Sequence, residues 1–211
     1  MVPTYPDYPE LSSKHVEGAK LFANRHDLIV ALPVARGGTV AEVGVLRGDF
    51  SVTLMETFEP KTFVAFDIFT CHEYPSVWGI PSAEFFDGLN QLDYFRRQMA
   101  PYGSRVVIEE GLSSKTMPKY ETHSFDLVYV DGGHSYNEVK PDAACATKMV
   151  NESGIIVFND YIMYDHLLQA PYGIVPVVND LIVNQGWQVI GFAFHRAMFC
   201  DIAIRKMKPS E

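Results

Sequence analysis

Residues 39–50 read Thr-Val-Ala-Glu-Val-Gly-Val-Leu-Arg-Gly-Asp-Phe. The first seven of these residues are mostly apolar and β-branched, which predicts a buried strand over residues 39–45. Gly44 and Gly48 predict a tight turn, and apolar residues then recur every four positions in a predicted helix over residues 49–58. A strand that turns through glycines into a helix is the repeating unit of doubly wound α/β folds.

The same alternation of strand and helix continues along the chain. Further strands are predicted over residues 62–69, 105–110, 125–131 and 154–159, with helices over residues 89–100, 113–119 and 137–150 between them. Because the strands are almost entirely apolar, we expect a parallel sheet that is covered by helices on both faces. A further helix is predicted ahead of the first strand, over residues 14–32.

The C-terminal part of the chain departs from this alternation. A helix over residues 175–185 is followed by strands over residues 187–194 and 198–206, and so short a link permits only an antiparallel hairpin. We therefore predict a doubly wound, Rossmann-like α/β sheet of seven strands, mostly parallel with an antiparallel C-terminal strand. Residues 1–38 would form an N-terminal arm and helix of the same domain as residues 39–211, and residues 70–88 would be an inserted lid.

Composition limits the classes of partner. The chain has 211 residues, 47% hydrophobic and 20% charged, which fits one globular domain. Its formal net charge of −9 and its lack of a basic cluster argue against a nucleic-acid partner. The apolar runs are only strand-length and the N-terminus lacks a signal pattern, so we expect no membrane partner and a cytoplasmic location. The three cysteines lie far apart, which supports neither a disulfide framework nor a zinc site.

Ligands of doubly wound sheets bind beyond the carboxyl ends of the strands. Asp67 ends the second predicted strand about 20 residues after the glycine turn, where a carboxylate can accept hydrogen bonds from ribose hydroxyls. The candidate cofactor-binding residues are Glu42, Gly44, Gly48, Asp67, Gly111, Ser113 and Asp131. Ser113 could equally cap a helix. Both NAD and S-adenosylmethionine need such a site, but the turn lacks the full GxGxxG pattern and the terminal hairpin is foreign to dehydrogenases, which favours S-adenosylmethionine.

Two further strand ends carry polar side chains. Residues 126–136 read DLVYVDGGHSY, and residues 154–161 read GIIVFNDY. Together with the turn at residues 42–48, these runs resemble the class I S-adenosylmethionine-dependent methyltransferases, in particular the group known as methyltransferase domain 24. That group is similar in layout to metal-dependent O-methyltransferases, and the resemblance covers residues 39–206.

The resemblance implies specific chemistry at these strand ends. It implies S-adenosylmethionine as cofactor and a magnesium ion held by Asp131, Asn159 and Asp160, since oxygen ligands suit a hard cation. Many relatives have an acid where Gly133 stands, and the order Asn159-Asp160 is inverted relative to catechol O-methyltransferases. His134 is the nearest replacement for the base, so Asp131 and His134 are the candidate catalytic residues.

Several interpretations remain open at this level. The leading one is O-methylation of a small-molecule acceptor, with magnesium assistance as a subordinate hypothesis. The alternatives are a metal-free class I methyltransferase, a non-catalytic S-adenosylmethionine-binding module that forms a homodimer through the arm at residues 1–8, and an NAD-linked oxidoreductase. Glu138 and Asp142, in the helix after DGGHSY, are interpreted as a solvated face.

Overall fold

The structure, a computed structural model, describes residues 8–207 of the chain. Its strands are β1 (Lys20–Phe22), β2 (Thr39–Val43), β3 (Thr62–Asp67), β4 (Ser76–Val77), β5 (Ile80–Pro81), β6 (Val106–Glu110), β7 (Phe125–Val130), β8 (Val150–Phe158), β9 (Tyr164–Asp165), β10 (Ala170–Pro171), β11 (Trp187–Ala193) and β12 (Asp201–Lys206). The α-helices are α1 (Arg25–Ala31), α2 (Asp49–Phe58), α3 (Ser82–Phe85), α4 (Gln91–Met99), α5 (Ser113–Thr116), α6 (Tyr136–Met149) and α7 (Ile174–Gln185).

Eight of these strands form one sheet in the order β1-β11-β12-β8-β7-β2-β3-β6. Strand β12 runs antiparallel to both of its neighbours, and the other pairs in this sheet are parallel. This confirms the predicted α/β class and the antiparallel C-terminal strand. All seven predicted strands are present, and β1 adds an eighth at the edge of the sheet.

The prediction of one helix over residues 14–32 was wrong. A 3₁₀ turn at Ser13–His15 is followed by β1, and α1 starts only at Arg25. Gly18 has a φ of 74°, which interrupts the helix, and the Asn24 side chain accepts a hydrogen bond from the backbone of Asp27 to begin a new one. The short strand satisfies its backbone by pairing with β11, a partner that lies far away in the sequence.

Each face of the sheet has its own hydrophobic core, because neighbouring residues of a parallel strand point to opposite sides. Val128 packs on the face covered by α6 and α7, whereas Leu127 packs on the face covered by α1, α2 and α4. The predicted lid at residues 70–88 contains the β4–β5 hairpin and α3, and it has a small core of Phe85, Phe86 and Tyr94. Among residues 8–207, no helix has both the length and the apolarity to cross a bilayer.

Candidate active site

The turn after β2 depends on two glycines. Gly44 has a φ of 81°, and a Cβ at this position would come within 2.1 Å of the backbone oxygen of Asp131. Gly48, with a φ of 83°, caps α2, and a Cβ there would lie 2.9 Å from the Phe95 ring. Both positions therefore require glycine. The close approach at Gly44 brings the end of β2 against the end of β7, where the cofactor crevice of a doubly wound sheet is expected.

The Asp67 carboxylate holds this turn in place. One of its oxygens accepts hydrogen bonds from the backbone nitrogens of Val45 and Leu46, at 2.8 and 3.2 Å. The other oxygen accepts from the backbone of Phe69 at 2.7 Å and from Nε2 of Gln91 at 3.3 Å. Burial raises the pKa of Asp67, and these donors oppose that rise. The structure thus brings Gly44, Asp67 and Asp131 together, while ribose binding by Asp67 stays a prediction.

Gln91 belongs to the same site and was missed in the sequence. Its side chain is fully buried, and Nε2 also donates to the backbone oxygen of Leu46 at 3.1 Å. Its Oε1 accepts a hydrogen bond from the backbone of Cys71 at 2.8 Å. Gln91 therefore joins the base of the lid to the turn after β2. A single glutamine near the start of a helix has no distinctive sequence pattern, so no signal marked it.

The third strand end lies next to the second. Gly111 has a φ of 133°, and its nitrogen donates to the backbone oxygen of Asp67 at 2.9 Å. The Ser113 hydroxyl donates to a carboxylate oxygen of Asp142. The interpretation of Asp142 as solvated was wrong, because its exposed fraction is only 3%. It lies three residues after Val139 and four before Ala146, on the buried stripe of α6, so the helical periodicity could have identified it.

Asp142 makes stability depend on pH. Burial raises the pKa of its carboxyl from the ordinary 3.8 to about 6, although the Ser113 hydrogen bond opposes this. The folded protein therefore binds this proton more tightly than the unfolded chain, so the contribution to stability is full below pH 4 and is lost as the pH rises through about 6. Asp142→Asn keeps an acceptor for Ser113, and we expect it to raise the free energy of unfolding at pH 8 by about 2 kcal/mol.

Urea unfolding at several pH values between 4.5 and 8 checks this prediction. The gain for Asp142→Asn over the wild type should grow with pH across this range. Glu56→Gln, which removes an exposed carboxylate from α2, is the matched control and should show no such growth. A constant difference between Asp142→Asn and the wild type at all pH values would contradict the assignment.

The ends of β7 and β8 place an imidazole against two carboxylates. Nε2 of His134 lies 3.3 Å from Oδ2 of Asp160 and 3.7 Å from Oδ1 of Asp131. This nitrogen is buried and makes no hydrogen bond of acceptable geometry. The ring stacks on Tyr172, with centroids 4.6 Å apart and planes at 10°. His134 is therefore fixed in orientation, with Nε2 directed at the two carboxylates.

The surroundings of His134 and Asp160 raise the pKa of both groups. Burial lowers the pKa of His134, but Asp131 and Asp160 raise it by more, so the net pKa lies above the ordinary value. Burial and the neighbouring Asp131 raise the pKa of the Asp160 carboxyl to about 7, which His134 only partly offsets. A proton can therefore move within this group at the pH where most enzymes work.

Comparison with models of known protein families shows the family of the chain. Residues 41–161, more than half of the chain, match the model of the family described as methyltransferase domain, the group numbered 24. The chain belongs to this family. It is an S-adenosylmethionine-dependent methyltransferase, which confirms the predicted enzyme class and cofactor. The match ends directly after Asp160, so it includes every candidate site residue that the sequence predicted.

Solved structures of methyltransferases share the fold at low sequence identity. An O-methyltransferase family protein from Burkholderia thailandensis superposes with a TM-score of 0.59 at 15% identity, covering 88% of this chain and 56% of that one. An rRNA methylase from Streptococcus thermophilus superposes with a TM-score of 0.60 at 10% identity, covering 87% of this chain and 95% of that one. An SAH-bound methyltransferase from Podospora anserina superposes with a TM-score of 0.55 at 15% identity, covering 81% of this chain and 72% of that one. No curated protein sequence matches the chain significantly.

The remaining predicted residues of the methyltransferase are buried. Glu42 has an exposed fraction of 1%, its carboxylate accepts a hydrogen bond from Ser51, and burial raises its pKa well above the ordinary range. The amide nitrogen of Asn159 donates to Asp201 at 3.0 Å, and the Tyr129 hydroxyl donates to the same carboxylate at 2.6 Å. Asp201 starts β12, far along the sequence, so only the sheet topology reveals that it supports the end of β8.

The three predicted magnesium ligands do not form a metal cradle as they are arranged. Within residues 8–207, no group of three or more histidine, cysteine or acidic side chains is placed to hold a metal ion. His134 lies against both Asp131 and Asp160, and Nη1 of Arg25 lies 3.9 Å from Oδ2 of Asp131. Basic groups of the protein thus face the carboxylates of the methyltransferase. Magnesium binding stays a prediction, and no step below depends on it.

Proposed function

We propose that the methyltransferase transfers the methyl group to a hydroxyl oxygen of a small acceptor, with His134 as the general base. The single observation that carries this proposal is the buried Nε2 of His134, which has no hydrogen-bond partner and faces Asp131 and Asp160. A base in this position can accept the hydroxyl proton when the oxygen attacks. The raised pKa of His134 makes the imidazole a stronger proton acceptor than an ordinary histidine.

The side chains at the strand ends fit S-adenosylmethionine. Gly44, Asp67 and Gly111 follow or end the adjacent strands β2, β3 and β6, so the two glycine turns lie on either side of the Asp67 carboxylate. When bound, the cofactor supplies a methyl group on a positively charged sulfur, which makes that carbon electrophilic. The acceptor oxygen forms a bond to this carbon as the carbon–sulfur bond breaks and its electron pair goes to sulfur. The hydroxyl proton passes to His134.

A loop beside the base, together with the lid, supports a small acceptor. The nitrogen of Gly173 donates to the backbone oxygen of His134 at 2.7 Å, so the loop over residues 162–173 is fastened beside the base. The lid carries an exposed Trp78, and the loop carries exposed Leu167 and Leu168. A recessed base beside a loop with exposed leucines suits a compact, partly apolar hydroxyl compound. The net charge of −9 would repel a nucleic-acid phosphate backbone.

A transfer assay with methyl-labelled S-adenosylmethionine tests the proposal. Purified protein is incubated with phenols, sugars, carboxylic acids, bulk RNA and protein, and the methylated product is located by mass spectrometry. We expect label on the oxygen of a hydroxyl compound and none in RNA or protein. Label confined to RNA, protein or a carboxylic acid would overturn the proposal.

The same transfer reaction, run with and without EDTA, tests whether methyl transfer needs Mg²⁺. An unchanged rate would show that Arg25 and His134, which lie against Asp131 and Asp160, need no metal ion beside them. A loss of activity that Mg²⁺ restores would instead support a magnesium ion at Asp131, Asn159 and Asp160.

A further inference from the structure

The N-terminal segment brings a guanidinium group to the cofactor crevice. Arg25 is the first residue of α1 and precedes the part of the chain that matches the family model. Its guanidinium lies 4.3 Å from the centre of the Phe50 ring, and Nη1 lies 3.9 Å from Oδ2 of Asp131. The backbone of Asp131 in turn contacts the turn at Gly44. Arg25 and Asp131 are therefore adjacent, oppositely charged groups beside the cofactor turn.

This ion pair is loose and open to solvent. A separation of 3.9 Å is too long for a hydrogen bond, so neither charged group satisfies the other. The side chain of Arg25 is 37% exposed and that of Asp131 is 24% exposed, so both still reach solvent. The guanidinium packs on the Phe50 ring and faces the Tyr129 hydroxyl, so its position is held while part of the group still reaches solvent. The pair can therefore accept a ligand that supplies one negative and one positive charge.

The neighbouring charges show which ligand charge Arg25 and Asp131 each suit. Around Asp131 lie the carboxylates of Asp160 and Asp201, with His134 as the second basic group. This acidic environment favours a cation. Burial lowers the pKa of Arg25, but the facing Tyr129, Asp131 and Asp201 raise it by more, so its guanidinium stays charged. Arg25 is therefore the group in this cluster suited to bind a carboxylate, because a guanidinium fork matches carboxylate geometry.

We propose that Arg25 and Asp131 together bind the amino-acid end of S-adenosylmethionine, the guanidinium holding its carboxylate and the Asp131 carboxylate holding its ammonium. The inference rests on the cofactor that the family uses and is independent of the acceptor and of the role of His134. It assigns a binding residue to the N-terminal segment, so the cofactor site extends beyond residues 41–161. If the acceptor assay finds no methylated hydroxyl compound, the roles of Arg25 and Asp131 in cofactor binding are unaffected. If Arg25 proves not to bind the carboxylate, the proposed acceptor and base are equally unaffected.

Calorimetry with two ligands tests the pairing of Arg25 with a carboxylate. The ligands are S-adenosylhomocysteine and its decarboxylated analogue, which keeps the ammonium, the sulfur and the adenosine. The wild type should bind the complete ligand about 10- to 100-fold more tightly, the effect of a hydrogen bond to a charged group. Arg25→Gln should lose that preference and bind both ligands with the lower affinity. Asp131→Asn should weaken both ligands by the same factor, because both keep the ammonium.

Controls separate binding from folding. Arg36→Gln removes an exposed arginine that pairs with Glu59 at 2.6 Å, near the other end of β2, and it should keep the wild-type preference. Thermal unfolding without ligand reports whether Arg25→Gln remains folded. The proposal is overturned if Arg25→Gln keeps the wild-type preference for the carboxylate. It is also overturned if the wild type binds the two ligands equally, a result that requires no variant.

Discussion

Replacing His134 with alanine is expected to lower kcat by about 100- to 10,000-fold, the usual contribution of a general base. S-adenosylhomocysteine should still bind, because this variant leaves unchanged the turn at Gly44 and the Asp67 carboxylate that holds it. The loss arises because the imidazole that accepts the hydroxyl proton is removed. Single-turnover kinetics with the identified acceptor measure it.

The pH dependence of the wild type provides an independent readout. A protonated imidazole cannot accept a proton, so kcat/KM should fall as the pH drops through the pKa of His134, which the neighbouring carboxylates raise above its ordinary value. His134→Ala should lose this acidic limb. His123→Ala, at an exposed histidine before β7 and thus at the opposite end of that strand, is the control. Wild-type kcat in His134→Ala would contradict the assignment of the base.

Gly44→Ala is expected to be the most damaging single-methyl change in the turn after β2. The added Cβ would lie 2.1 Å from the backbone oxygen of Asp131, and the residue would keep a φ of 81° that L-residues avoid. The left-handed conformation and the steric overlap together should lower the free energy of unfolding by about 2 to 5 kcal/mol. Relief of the overlap requires the ends of β2 and β7 to separate, so binding of S-adenosylhomocysteine should also be lost.

Gly37→Ala is the matched control for this change. Gly37 has a φ of 78°, close to that of Gly44, but nothing lies within 4 Å of the position its Cβ would take. It should therefore show only the conformational cost of about 1 to 2 kcal/mol and normal ligand binding. Urea unfolding and calorimetry of both variants separate the two effects. Equal losses in the two variants would show that backbone conformation, and not the close approach to Asp131, is what Gly44 provides.

The sequence was informative wherever one local pattern carried both structure and chemistry. The strand-to-helix turn at Gly44 and Gly48 predicted the first unit of the fold, and the runs around Asp131 and Asp160 predicted which strand ends carry polar groups. Those predictions succeed because strand direction in a parallel sheet places all carboxyl ends at one edge. Gly44, Asp67 and Asp131 lie at adjacent strand ends, and the roles of all the candidate site residues stay predictions.

The residues that escaped prediction depend on contacts between distant segments. β1 exists because it pairs with β11, and Asp201 supports Asn159 only because β12 inserts beside β8. Gln91 and Arg25 reach the crevice from helices whose sequences show ordinary surface patterns. Asp142 differs from these, since it lies on the apolar stripe of its own helix and its burial could have been predicted from the sequence.

The three residues of β1 also determine how the sheet ends. This strand pairs only with Gly191, Phe192 and Ala193 of β11, and so short a border offers few free backbone groups to a strand of another molecule. If the chain were shortened to begin at β2, the outer side of the seven-residue β11 would be bare. Such a protein would still contain every residue of the matched region, yet it would invite edge-to-edge aggregation and would lack the Arg25 guanidinium.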